Sequence, residues 1–105
     1  MAQYDVYANP SAASRERVPY VVDIQSDLLA DLRTRLVMPL TRVGVDLRQT
    51  PRRLAPVLLV EGERLAAQPQ LASGLDARHL RKPVASLAAH AGELRDALDA
   101  VISGV

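Results

Sequence analysis

Few side chains in this protein have reactive chemistry, and their spacing argues against most of it. A serine, a histidine and an acid can be assembled from Ser26, Asp27 and either His79 or His90. However, no glycines flank Ser26 in the sharp turn that exposes a nucleophilic hydroxyl. His79 and His90 are the only histidines and lie eleven residues apart, which is not a metal-ligand spacing, so surface or capping positions are expected of both. Asp23, Asp27 and Asp31 recur every four residues. With Asp23 in a strand and Asp27 in a connector that interval brings nothing together, and solvated or turn-forming roles are expected. Cysteine is absent, which removes thiolate catalysis, disulfides and cysteine-based metal sites together. No glycine-rich phosphate loop occurs. The sequence predicts no catalytic residue, no metal site and no cofactor.

Binding chemistry is better represented. Arg42, Arg48, Arg52 and Arg53 are dispersed among leucines and prolines without aromatic interleaving, a pattern that suits a solvated face or an acidic protein segment. Thirteen basic against twelve acidic residues give a net charge of +1, too balanced for a chain that lives on a phosphate backbone. Aromatic residues make up 3% of the chain, three tyrosines with no Phe or Trp. The core must therefore come from Leu, Val, Ile and Ala, and a site of stacked rings is nearly excluded.

The elements that position these residues centre on residues 20–40, YVVDIQSDLLADLRTRLVMPL. Tyr20, Val22 and Ile24 alternate with Val21, Asp23 and Gln25, the two-residue period of a strand with one buried face. Leu36, Met38 and Leu40 alternate likewise with Arg35, Val37 and Pro39, which predicts a neighbouring antiparallel strand. The polar connector between them carries Leu28 and Leu29 in exposed positions. A first strand is expected over residues 3–8, with Tyr4 and Val6 on one face, followed by turn chemistry at Asn9, Pro10, Ser11 and Ser14. The run PVLLV at residues 56–60 predicts a strand covered on both faces. Glu61 and Gly62 then turn the chain into a returning strand over residues 63–67. Residues 71–83 read as loop with room for one short strand. Leu87, Ala91, Leu94, Leu98, Val101 and Val105 form a helical stripe, with Glu93, Arg95, Asp96 and Asp99 opposite. That predicts a helix over residues 87–102, with Ser86 as its N-cap, Arg95 and Asp99 as an i,i+4 pair, and Gly104 as its stop.

A chain of 105 residues is one domain, and about two thirds of its surface is buried on folding, so association into a dimer is expected. The opening MAQYDVYANP has no basic and apolar leader, and no apolar run approaches the ~20 residues of a membrane span. A soluble, cytoplasmic protein without membrane contact is expected.

The motif VDIQSDLL at residues 22–29, followed by RLVMPL at residues 35–40, closely resembles the CcdB family of toxins from bacterial toxin–antitoxin pairs. The opening strand around Tyr4 and Tyr7, Tyr20, the start at Pro56 and Val57, the run VASL at residues 84–87 and the closing ISGV at residues 102–105 extend the resemblance over the whole chain. It implies an α+β fold of SH3-like partial-barrel type: a five-stranded antiparallel sheet, a small three-stranded wing over residues 41–53, and one C-terminal helix. It also implies a homodimer that performs no catalysis, inserts into the gate of the DNA gyrase A subunits and holds the cleaved DNA complex unresealed. Transferred by position, the gyrase-binding residues are Leu28, Leu29, Asp99, Ser103, Gly104 and Val105. A CcdA-like antitoxin would wrap the dimer through a disordered segment, remove it from gyrase and repress their operon, so that operator DNA is met only through the antitoxin complex. The gyrase-poisoning members carry a tryptophan where this chain has Ser103, and an amide where it has Asp99. A buried Trp anchor is worth ~2–4 kcal/mol. An alternative reading is therefore an antitoxin-binding protein whose target contact has weakened or changed.

Overall fold

The computed structural model describes residues 2–43 and 54–104. Its strands are β1 (Asp5–Ala8), β2 (Tyr20–Asp23), β3 (Thr34–Arg42), β4 (Val57–Val60), β5 (Glu63–Ala67), β6 (Ser73–Asp76) and β7 (Ala85–Ser86), followed by the helix α1 (Ala91–Ser103). All pairings are antiparallel, in the order β4-β5-β3-β2-β1-β7, with β6 on the other half of β3. The sheet curls into a nearly closed barrel with one C-terminal helix, the α+β SH3-like partial barrel expected. Among the described residues the sheet has seven strands where five were expected beside the wing: β3 pairs β6 along its first half and β5 along its end, and the two-residue β7 is added beside β1. Residues 44–53, most of the expected wing, lie outside the described residues, while Thr41 and Arg42 are simply the end of β3.

The sheet is covered on both faces, which the alternation in β2 and β3 did not convey. Val6, Val22 and Met38 pair across β1, β2 and β3 and point into the main core with Tyr4, Leu40, Leu58, Val60, Leu65, Leu87 and Leu94. Tyr7, Val21 and Val37 point the other way and form a second cluster with Leu80, against which Leu75 packs. β3 accordingly buries Arg35 and Val37 early and Met38 and Leu40 late, leaving Leu36 partly exposed against expectation. β4 is the converse. It was read as covered on both faces, but at the sheet margin it buries only Leu58 and Val60, and Leu59 is 63% exposed.

The connections follow local chemistry. Glu61 and Gly62 both take positive φ, 51° and 79°, the geometry of the two-residue hairpin turn whose twist matches its strands. Asn9 is buried and organises the following loop: Nδ2 donates to Ser14 Oγ and to the Val18 carbonyl at 3.0 and 2.8 Å, and Oδ1 accepts from the Ser11 amide at 2.9 Å. Ser86 Oγ accepts from the Ala88 amide at 3.2 Å, but the N-cap of the 3-10 turn (Ala88–His90) is Leu87 and that of α1 is His90, so Ser86 is not the helix cap expected and α1 begins at Ala91, four residues after the expected start. Leu94, Ala97 and Ala100 are its buried residues, which turns the stripe towards the two alanines and leaves Val101 exposed. Arg95 and Asp99 form no ion pair among the described residues. Gly104 ends the helix as expected, at φ 73°, with its amide on the Ala100 carbonyl at 2.9 Å.

Candidate functional site

The connector from β2 to β3 lifts an aliphatic side chain off the surface. Residues Asp27–Leu29 form a 3-10 turn that buries none of its side chains, and Leu28 is 94% exposed. Leu29 and Leu32 on the same connector, and Leu36 in the first half of β3, are each more than a third exposed. Burying a leucine of this kind in a partner is worth about 1.5–3 kcal/mol. A turn without buried apolar groups cannot be fixed by packing. Its geometry has to come from polar groups.

Those groups are the polar residues of the motif. Asp23 is 0% exposed, not solvated as expected, and pairs with Arg35, itself 1% exposed. Arg35 Nε and Nη2 both approach Asp23 Oδ2, at 2.8 and 2.7 Å. Asp23 Oδ1 accepts from the Gln25 amide at 3.0 Å. The Gln25 side chain accepts from the Leu36 amide and donates to the Leu29 carbonyl, each at 2.9 Å. Ser26 Oγ accepts from the Leu28 amide at 3.2 Å, and Asp27 Oδ1 from the Gln3 amide at 2.9 Å. Gln3 Nε2 in turn donates to the Ile24 carbonyl at 3.2 Å. Ser26 is thus the cap of the turn, a role its sequence context did not suggest, and Asp27, expected to be solvated or turn-forming, tethers the turn to Gln3.

Beside the ion pair lies Tyr7, buried with its hydroxyl unpartnered among the described residues, as is Arg35 Nη1. Burial, and then the carboxylates of Asp5 and Asp23, push the Tyr7 phenol above its ordinary value against the opposing pull of Arg35. Tyr4 precedes β1 at φ 73°, a left-handed conformation that costs a tyrosine roughly 1–2 kcal/mol. Its amide donates to the Asp23 carbonyl, and its carbonyl accepts from the Leu87 amide at 2.8 Å. This one residue ties the root of the leucine turn to the segment entering α1.

Gln3, Tyr4 and Ile24 also face Leu94, Arg95 and Leu98 of α1 across a small cleft of about 40 Å³. At the far end of α1, Ile102 is 75% exposed, Asp99, Ser103 and Gly104 are exposed, and Ser103 Oγ donates back to the Asp99 carbonyl at 2.6 Å. The hydroxyl is therefore satisfied inside the helix. Val105 lies outside the described residues.

A second feature had no sequence signal. An open groove of about 570 Å³ lies between the loop at Asn9, Pro10 and Ser11 and the segment after β6, and its charged lining is Arg15, Arg78, His79, Arg81 and Lys82. Asp76 faces Arg78 at 3.1 Å, and the Arg78 amide holds its carboxyl below the usual carboxylate range. Arg78, His79, Arg81 and Lys82 are close in sequence, and the fold brings Arg15, more than sixty residues earlier, to them. Arg42, expected on an open basic face, instead pairs with Glu63, and Arg48, Arg52 and Arg53 lie outside the described residues.

The paper triad is not assembled. Ser26 has the Leu28 amide as its partner, His79 lines the groove, and His90 Nδ1 contacts Glu93 Oε1 at 2.9 Å. Among the described residues no group of three or more His, Asp or Glu side chains stands ready for a metal ion, and no helix is long and apolar enough to cross a membrane.

No curated protein matches the chain. The family model for the CcdB protein, by contrast, matches residues 3–104, from the tether of the leucine turn to the cap of α1. The protein belongs to the CcdB family, a family of toxins from toxin–antitoxin pairs and not of catalysts.

Proposed function

We propose that the protein is the toxin of a type II toxin–antitoxin pair, acting as a homodimer that binds the DNA gyrase A subunit and traps the cleaved gyrase–DNA complex. The observation that carries this reading is Leu28, almost fully exposed on a turn held by the hydrogen bonds of the buried Gln25 side chain. A soluble monomer gains nothing from such an arrangement, whereas a partner pocket gains a preorganised anchor. Leu28 and Leu29 would supply one half of the contact, and Asp99, Ser103, Gly104 and Val105 the other. Action would be by binding alone.

A CcdA-like antitoxin would neutralise it through an acidic, disorder-prone segment. The groove lined by Arg15, Arg78, Arg81 and Lys82 suits such a segment. Operator DNA would be reached only through that complex.

Induced expression tests the target. Growth arrest should be relieved by a substitution at the gate of gyrase A, and by Gly104→Glu in a protein that remains a folded dimer. Arrest that persists in both would exclude gyrase.

Ser103 favours a second reading, in which antitoxin pairing is retained and the target has weakened or changed. Its hydroxyl is turned back onto the helix and offers no ring to a gyrase arginine. On that reading the native chain fails to retain gyrase A in a pull-down and Ser103→Trp restores retention.

A further inference from the structure

Gln25 makes no contact with solvent that a partner could use, being 7% exposed. Its carboxamide nevertheless bridges two elements, accepting from the Leu36 amide in β3 and donating to the carbonyl of Leu29 at the end of the 3-10 turn. The turn's own ties are short-range: the Leu28 amide to Ser26 Oγ, the Leu29 amide to the Ser26 carbonyl, the Ala30 amide to the Asp27 carbonyl and the Leu32 amide to the Leu29 carbonyl. None of these fixes the leucines relative to the sheet. The connector's other ties do not reach β3: Asp27 accepts from the Gln3 amide at the start of the chain, and the Arg33 carbonyl accepts from the Ala77 amide.

We propose that Gln25 is a positioning residue for the partner contact: its side chain clamps the turn to β3 so that Leu28 and Leu29 are presented in one geometry. The Asp23–Arg35 pair orients the clamp, since Asp23 Oδ1 holds the Gln25 amide while its other oxygen is held by Arg35. The inference deepens the reading of Leu28 and Leu29 as partner contacts and rests on it. It also explains why the position needs an amide. A single planar group must accept at one end and donate at the other. An ionised carboxylate can only accept, so it would face the Leu29 carbonyl with a second lone pair. A thioether would leave both backbone groups without a strong partner.

A protonated carboxyl, however, both accepts and donates. Gln25→Glu is therefore a switch: the clamp opens when the new carboxyl ionises and closes when it is protonated. A glutamate titrates near pH 4.3 in the open, and burial raises that value.

The test is amide hydrogen exchange on the full chain at pH 7 and pH 4, expressed as protection relative to the unstructured rate, for the native protein, Gln25→Glu and Gln25→Met. At pH 7 both variants should lose at least tenfold protection at Leu28, Leu29, Ala30 and Leu32 while Val6, Val22 and Met38 keep theirs. At pH 4 protection should return in Gln25→Glu and stay lost in Gln25→Met. Affinity for a gyrase A gate fragment at pH 7 should fall about tenfold in both. Unchanged protection of the turn, an equal loss across β1 to β3 in both variants, or recovery at pH 4 in Gln25→Met would overturn the inference. If the fragment binds neither native protein nor variants, gyrase is lost as the partner, and the exchange pattern alone still decides the role of Gln25.

Discussion

The leucine turn and the end of α1 both offer aliphatic side chains to solvent, yet opposite means hold them there. At the turn the apolar groups are outside and the polar groups are buried: Asp23, Arg35 and Gln25 lie beneath Leu28. At the helix the apolar groups are buried, through Leu94, Ala97 and Ala100, and the exposed tip ends in Ser103 and Gly104. A hydrogen-bonded turn has a directional geometry and fails when a single partner is lost. A packed helix has a broad hydrophobic attachment and loses stability in proportion to the volume removed. The contrast assigns shape to the first region and adhesion to the second.

The largest effect that separates them should come from the ion pair. Asp23→Ala leaves the Arg35 guanidinium buried without its counter-charge and should cost ~3–5 kcal/mol in denaturant unfolding. Replacing both partners with apolar residues of similar size should recover much of that loss. If Asp23→Ala proves neutral, the turn is not supported as described. Next in size is the helix. Leu94→Ala should cost ~2–5 kcal/mol in the same measurement while the turn keeps its exchange protection.

A smaller effect is expected at the cap. Gly104→Ala forces a Cβ into the left-handed region and should cost ~1 kcal/mol, without any clash, since nothing lies within 4 Å of the added atom. Tyr7→Phe should change stability at neutral pH little, because the hydroxyl it removes has no partner. Its signature lies in alkali. The folded phenol holds its proton more tightly than the unfolded one, so this contribution is complete below the ordinary value of 10.0 and is lost as pH rises through the raised one. Unfolding measured from pH 9 to 11 should show a shallower decline in Tyr7→Phe than in the native protein. Smallest of all, Leu28→Ala should move stability by no more than about 0.5 kcal/mol.

The paired strands, the hairpin at Glu61 and Gly62, and the stop at Gly104 were legible because each rests on local periodicity or on a backbone angle. The second core was not. Val21 and Tyr7 alternate with deeper residues as solvent-facing positions do, and only the cover from Leu75 and Leu80, more than fifty residues away, makes them interior. Asp23 was misread for the same reason: a strand aspartate reads as exposed unless its cation is known, and Arg35 sits twelve residues on across an antiparallel pairing. The start of α1 shifted because a 3-10 turn stands between Ser86 and the helix, and a serine ahead of an apolar stripe looks the same in sequence before either. Of the transferred site residues, Leu28 stood out by its exposure once the fold was in hand. Ser103 is equally visible in sequence, but its bond back to Asp99 is not.

On the proposed function, Leu28, a residue with almost no part in stability, carries the attachment to gyrase A. Titration calorimetry of the protein against a gyrase A gate fragment, native against Leu28→Ala and matched by melting temperature, tests it directly. The account predicts at least a tenfold loss of affinity with an unchanged melt. Equal affinity in the two proteins would contradict it.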